Sequence, residues 1–522
     1  MKKTNTTLFI LITLLTIFYL VFRALFTIPI HLGILSLIFG ILLLFIELWE
    51  AIDFTIYSKN FLLKEKQIPV LPVIKDTDYP EIDIFIATYN ESIDILKETI
   101  DSCKNLNYPN KSLLHIYLCD DGNRKECNDL AKKSDINYIT RKKRVNFKAG
   151  NYNNALTLTN SPYVVTFDAD MSPEPNFLLE TIPYFVNNTN LGFLQLPQNF
   201  KNPDIFQYRF NLENKIPYEQ NYFFNNIQLA RNENNSVICC GTNVIYNRTA
   251  LNSINGFAVK TITEDIATGM LIQDKGYDTI ALNNNSAYGH SVLDFDGFIK
   301  QRSRWATGCM QMIKNYNFFT FKGLNFNQKL DYFSCILHWL SNIKRIFYLI
   351  LPLLFILFSI IVIDCNITTF LIIWLPIYIL KLLFITLAYK KENSYIWNNI
   401  REVILSPILS IKLLSNIFIK KPLNFEVSPK EFKNKKITNM NIKLLCIHCA
   451  FLLLNITALV ICIIKICSGA LLLTYLLSLI WIVINTFYLL IAIKFDINNT
   501  NKEVINTKNN NVTKYELKNY FK

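Results

Sequence analysis

Apolar positions come in long runs at both ends of the chain and in short ones between. Residues 8–28 and 32–49 form two long runs, and residues 347–363, 370–389, 442–465 and 470–493 form four more. Each is close to the ~20 residues that a bilayer-spanning helix needs, so the pattern predicts six spans. Lys2 and Lys3 precede the first run, which lacks a clean small-residue cleavage site and is followed at once by the second. It reads as an uncleaved anchor. Arg23 lies deep in that run, where it either snorkels or faces protein. Before the third run, residues 326–343 are amphipathic, with Phe333, Ile336, Leu337 and Leu340 at helical spacing and Trp339 suited to a headgroup interface. Residues 397–419 also have interfacial character.

Between about residues 63 and 317 the runs shorten. Pro69 and Pro72 mark the entry, after which apolar runs at 82–87, 114–119, 163–167 and 193–196 alternate with polar helical stretches. Strands alternating with helices predict an α/β domain with a largely parallel sheet. In such sheets ligands sit beyond the carboxyl ends of the strands. Three polar signatures fall there: Thr88-Tyr89-Asn90-Glu91, Asp120-Asp121-Gly122 and Asp168-Ala169-Asp170.

Composition narrows the class. Of the 522 residues 51% are hydrophobic, too many for a plain soluble protein, yet the polar middle is long enough for a whole domain. A membrane enzyme or transporter fits. The net charge of +13 suits nucleic acid, anionic lipid or an anionic substrate; no zinc-finger or RNA-binding motif accompanies it, so lipid and a charged substrate remain. The twelve cysteines show no framework spacing, and Cys446-Ile447-His448-Cys449 borders an apolar run. Reduced thiols and no zinc are expected.

Candidate chemistry concentrates in a few segments. Asp168 and Asp170, at a strand end, are spaced so that both carboxylates reach one side and hold a hard divalent cation against phosphate oxygens. Lys148, in Asn146-Phe147-Lys148-Ala149-Gly150-Asn151, sits by a small helix start that suits a phosphate. Asp265, in Thr263-Glu264-Asp265, is a carboxylate able to take a proton from a hydroxyl. Gln301-Arg302-Ser303-Arg304-Trp305 offers guanidinium for a diphosphate and an indole face for a sugar ring.

In this order the segments resemble the inverting family 2 glycosyltransferases, and within them the processive bacterial cellulose synthases. The likeness covers about 250 residues flanked by spans. It implies a GT-A-type α/β domain with a mostly parallel sheet, inserted between transmembrane helices: two spans in 1–62, a cytoplasmic glycosyltransferase domain in 63–317, then interfacial helices, four spans and a cytoplasmic gating loop near 420–436 within 318–495, and a polar tail in 496–522. It implies that Thr88, Tyr89, Glu91, Asp120 and Asp121 hold the uridine, that Lys148 contacts the nucleotide, and that Asp168 and Asp170 hold Mg2+ or Mn2+ on the diphosphate. Asp265 becomes the general base. Cys240 and Gly241, after the strand-like residues 236–239, lie beside the acceptor sugar, and with Glu264, Gln301, Arg304 and Trp305 they serve acceptor and diphosphate. Phe425, Val427, Ser428 and Lys430 match the gating loop Phe-x-Val-Thr-x-Lys, with Ser in place of Thr.

The expected activity is polymerisation of glucose from UDP-glucose into a β-1,4-glucan that crosses the membrane, in a bacterial plasma membrane. The partners are then UDP-sugar, growing polysaccharide, lipid bilayer and accessory export subunits, with no nucleic acid. Connections near His31, Asn366 and Ser468 are nearly free of Lys and Arg whereas residues 390–443 are rich in them, which places the domain and both termini on the cytoplasmic side. Two departures weaken sugar and linkage assignment: Met171 stands where the family usually has His after Asp-x-Asp, and Gln195-Leu196-Pro197-Gln198 replaces Gln-Thr-Pro-His. A mixed β-1,3;1,4-glucan synthase, a UDP-GlcNAc polymerase of chitin or hyaluronan type, and a nucleotide-binding transporter stay as alternatives. Nothing after Ile493 is long enough for a cyclic-di-GMP-binding PilZ barrel, so no regulation through one is expected within this chain.

Overall fold

Within β1 (Ile82–Thr88), β-branched and aromatic residues alternate sides. Ile82, Ile84 and Ile86 join Leu118, Val165 and Phe167 under one face, while Phe85 joins Tyr152, Val164 and Tyr246 under the other. A strand buried on both faces belongs at the centre of a sheet. The computed structural model, which describes residues 2–63, 69–213, 215–292, 295–389, 395–418, 441–469 and 472–497, places it there.

The other strands are β2 (Leu114–Asp120), β3 (Asn137–Ile139), β4 (Tyr163–Asp168), β5 (Ser172–Pro173), β6 (Leu191–Gln195), β7 (Asn199–Phe200), β8 (Val244–Asn247), β9 (Asp278–Ala281) and β10 (Ala287–Gly289). The main sheet has the order β3-β2-β1-β4-β8-β6-β9, and β8 runs antiparallel to both its neighbours. Strands β5, β10 and β7 form a small second sheet. Because β2, β1 and β4 are parallel neighbours, with Thr88 level with Asp120 and Ala87 level with Asp168, the three polar signatures emerge along one edge.

The strand-like reading of residues 236–239 does not hold. They join no ladder because side-chain amides take the places of strand neighbours. Gln228 accepts from the Ile238 N–H at 2.9 Å and donates to its carbonyl at 2.6 Å, Gln273 donates to the Val237 carbonyl at 2.9 Å, and Gln195 accepts from the Cys240 N–H at 2.7 Å.

Among the described residues, six helices are long and apolar enough to cross a membrane: Asn5–Phe26, Ile34–Lys59, Phe326–Phe358, Ile367–Leu387, Ile442–Cys467 and Tyr475–Ile497. The amphipathic segment and the third apolar run are not separate. They form one helix of 33 residues, Phe326–Phe358. The charges at their junction need no turn to reach water, since Lys344 pairs with Glu50 at 3.3 Å and Arg345 Nε with Glu402 at 2.9 Å. The fully buried Arg231 fastens the α/β domain to this helix, donating to the Asp331 carbonyl at 2.6 Å and to Ser334 Oγ at 3.1 Å. The helix Tyr395–Phe418 is packed rather than merely interfacial: Ile400, Val403, Ile404 and Leu409 form a core with Ile205, Phe206, Leu444 and Phe495. The segment assigned to the gate, with Phe425, Val427, Ser428 and Lys430, lies outside the described residues, as does the tail from residue 498.

Candidate active site

The edge where β1, β2 and β4 end is one wall of a cleft. Thr88, Tyr89, Glu91, Asp121, Lys148, Asp168 and Asp170 line it together with Cys240, Glu264, Asp265, Gln301, Arg304 and Trp305. Segments more than two hundred residues apart in sequence thus share one site.

At one end the turn after β1 is closed by Glu91, whose carboxylate accepts from Thr88 Oγ1 at 2.7 Å and from the Tyr89 N–H at 2.8 Å. Asp120 is not brought to the cleft. It is fully buried, and its oxygens accept from the N–H groups of Gly122 (2.9 Å) and Arg124 (2.7 Å) and from the Tyr138 hydroxyl (3.0 Å). Its observed work is to shape the turn that presents Asp121. That neighbour takes a two-point contact from Arg141, at 2.6 and 2.8 Å, with Arg144 3.7 Å away. The Arg144 guanidinium lies 3.4 Å from the centre of the Tyr89 ring. Sequence reading passed over both arginines, although the basic run Arg141-Lys142-Lys143-Arg144 was the available signal.

Lys148 follows the left-handed Asn146 and Phe147 that open the helix Phe147–Leu156. Its Nζ reaches Asp168 at 2.6 Å and the Gly241 carbonyl at 2.8 Å, between the strand-end carboxylates and the segment beside Asp265. Burial alone would lower its pKa, but the Asp168 charge outweighs this and holds the ammonium above its ordinary value.

Glu264 and Asp265 occupy the first turn of the helix Glu264–Asp274, where the positive end of the helix dipole favours acidic groups. Asp265 accepts from the Ile266 N–H at 2.9 Å. Burial raises the Asp265 carboxyl despite the opposing charges of Lys148 and Arg304. Burial and the Asp265 charge push Glu264 up to about 7. Two glycines permit the approach. Gly241, at φ +72°, would place a Cβ 3.0 Å from the Asp265 side chain. A Cβ on Gly308, in the helix Phe295–Tyr316 that carries Gln301, Arg304 and Trp305, would meet Thr263 at 2.3 Å.

Among the described residues no three His, Cys, Asp or Glu side chains gather as a metal cage. Asp168 and Asp170 alone fit a hard cation of the Mg2+ or Mn2+ class, which accepts one or two carboxylates and completes its shell with phosphate and water.

Residues 83–254 match the family model for glycosyl transferase family 2, and residues 228–470 match that for cellulose synthase. The chain is 30% identical over 365 residues to the cellulose synthase catalytic subunit (UDP-forming) of Pseudomonas fluorescens strain SBW25. The chain thus resembles the cellulose synthase-like family 2 glycosyltransferases. That alignment covers 70% of this chain and 49% of the relative. The corresponding subunit of Xanthomonas axonopodis pv. citri is 34% identical over 268 residues, covering 51% and 37%. The chain thus spans about half the length, or less, of these relatives. Among solved structures, the mannosyltransferase PcManGT of Pyrobaculum calidifontis, in complex with GDP-Man and Mn2+, has 16% identity and a TM-score of 0.47, covering 74% of this chain and all of that one.

Proposed function

We propose that this glycosyltransferase is a membrane-embedded, inverting and processive synthase that transfers glucose from UDP-glucose to the end of a β-1,4-glucan and passes the product between its spans. The observation that carries the reading is one cleft holding a half-buried carboxylate, Asp265, together with an arginine-tryptophan platform and a pair of strand-end carboxylates. Inversion needs a base for the acceptor hydroxyl and charge stabilisation for the departing nucleoside diphosphate, without a covalent enzyme nucleophile. Asp265 takes the acceptor proton. Trp305 offers its ring to the acceptor sugar, and Arg304 and Lys148 supply positive charge beside the diphosphate. Asp168 and Asp170 would hold a divalent cation, which when bound stabilises negative charge on the leaving diphosphate. Thr88, Tyr89 and Asp121 form the nucleotide end. The α/β domain of residues 63–317 then faces the cytoplasm, on the side of the Lys- and Arg-rich segment 390–443.

Membranes containing the protein, given labelled UDP-glucose or UDP-GlcNAc, test the reading directly. The expected product comes from UDP-glucose and is degraded by a β-1,4-specific glucanase. Incorporation from UDP-GlcNAc alone would sink the glucan assignment, and mixed-linkage oligosaccharides released by lichenase would replace it with the mixed-linkage synthase.

Two further outcomes follow. Since the base must be ionised, the rate should fall as pH drops through the raised pKa of the Glu264 and Asp265 pair. Lys148→Met removes a charge that lowers both groups, so the acid limb, measured relative to each enzyme's own maximum, should move to higher pH; an unmoved limb would detach Lys148 from the base. Gly241→Ala sets a methyl against Asp265 in a left-handed backbone that costs about 1 kcal/mol or more. The variant should lose most polymerisation at unchanged protein yield, and wild-type activity would show that the contact is slack.

A further inference from the structure

Gln301, Arg304 and Trp305 line the cleft, but Arg302, in the middle of the same cluster, does not. It is only 4% exposed. Its guanidinium carbon lies 4.2 Å from the Trp305 ring centre and 4.5 Å from that of Phe298. These are the i+3 and i−4 neighbours on one helix, so the cation is held between two aromatic rings. Nη1 donates to the side-chain oxygen of Gln301 at 3.1 Å. The remaining edge is taken by Glu219, which accepts from Nε at 3.1 Å and also from Nη2.

Glu219 is itself anchored. Its N–H donates to Asp204 Oδ2 at 3.1 Å, and Asp204 faces Arg401 at 4.0 Å. Arg401, on the helix Tyr395–Phe418, donates to the Pro217 carbonyl at 2.7 Å. Burial alone would raise the Glu219 carboxyl, yet Arg302 and Arg401 reverse the effect and hold it below its ordinary value. A buried ion pair is weak evidence of stabilisation. Here, however, the cation touches two of the three cleft-lining side chains of its cluster, and its partner carboxylate ties them to a separate helix.

We propose that Arg302 is a positioning residue: its two-point contact with Glu219 fixes the plane of the Trp305 indole and the amide of Gln301, and thereby sets how the acceptor end of the polymer is held between successive additions. This rests on the polymerase reading above. A sugar face stacks on an indole only when the ring plane is presented to it, and a misplacement of about 1 Å can cost ~10²-fold. Lysine keeps the charge but has neither the planar fork nor the stacking surface. Among the described residues Arg302 meets Glu219, Gln301, Phe298 and Trp305, none of which belongs to the proposed nucleotide end of Thr88, Tyr89 and Asp121.

The test compares wild type, Arg302→Lys and Glu219→Gln, reading the KM for UDP-glucose by UDP release and the length of the labelled product. The expected result is a donor KM within about twofold of wild type while mean product length falls about tenfold, the signature of a lost acceptor contact. Glu219→Gln keeps the native arginine, so it decides the matter should Arg302→Lys fail to fold. A second readout needs no polymer: the Trp305 fluorescence, isolated by subtracting the matching Trp305→Phe protein, should become more accessible to iodide in both variants. The proposal is overturned by wild-type product lengths in both variants, by donor KM and product length worsening together, or by unchanged Trp305 quenching. If wild type makes no polymer from any UDP-sugar, the polymerase reading fails, and the quenching measurement still decides the role of Arg302.

Discussion

Asp265→Asn should abolish polymer synthesis while UDP still binds. The substitution keeps the shape of the side chain and its contact with the Ile266 N–H but removes the basic oxygen. General base catalysis contributes about 10² to 10⁴ in rate. At the upper end of that range the residual rate disappears into background. The end of the cleft proposed to hold the nucleotide is built by the turns after β1 and β2, so UDP binding, measured by calorimetry on the purified protein, should persist. Polymer at near wild-type rate would remove Asp265 from the chemistry. It would also revive the alternative of a transporter whose domain only binds nucleotide.

The largest effect expected on stability lies away from the cleft. Asp83, 1% exposed within β1, accepts from Ser161 Oγ at 2.8 Å and from the Ser161 N–H at 3.1 Å, and pairs with Arg248 at 2.5 Å. Arg248 in turn donates to the carbonyls of Ser161 (2.5 Å), Thr159 (3.1 Å) and Leu156 (3.2 Å). One guanidinium thus closes the loop between the helix Phe147–Leu156 and β4, and joins it to β1. Arg248→Met leaves a carboxylate buried without its cation, a change that typically costs ~3–5 kcal/mol, against the ~5–15 kcal/mol that holds a whole domain. The purified variant should unfold at a clearly lower temperature, or accumulate poorly. Adding Asp83→Leu removes the orphaned charge and should restore part of the loss. A wild-type melting temperature in Arg248→Met would contradict this account.

The central strands were legible because burial on both faces writes a continuous apolar run, and because strand ends in a parallel sheet carry the polar residues. The same physics explains the errors. Residues 236–239 have the composition of a strand, but composition cannot reveal that Gln195, Gln228 and Gln273 stand in for strand partners. The amphipathic stretch 326–343 and the apolar run from 347 differ in composition, and sequence alone does not reveal that Glu50 and Glu402 meet the intervening Lys344 and Arg345 from distant segments. Asp120 and Asp121 are equivalent on paper. The register of β2 turns one inward to shape its own turn and leaves the other on the cleft wall. Arg302 escaped notice for the complementary reason: read as one basic residue among several, it gave no sign that a carboxylate eighty-three positions earlier would bury it.

The continuous helix Phe326–Phe358 sets a length scale. At 1.5 Å per residue its 33 residues measure ~50 Å, against a hydrocarbon core of ~30 Å. Upright in a bilayer, such a helix would extend about 20 Å beyond the hydrocarbon, and Arg231 grips it at Asp331 and Ser334. In the proposed synthase this helix would act as a ruler between the bilayer and the cleft. On the polymerase reading, a fixed height means that each sugar added at the cleft moves the product along by one sugar length.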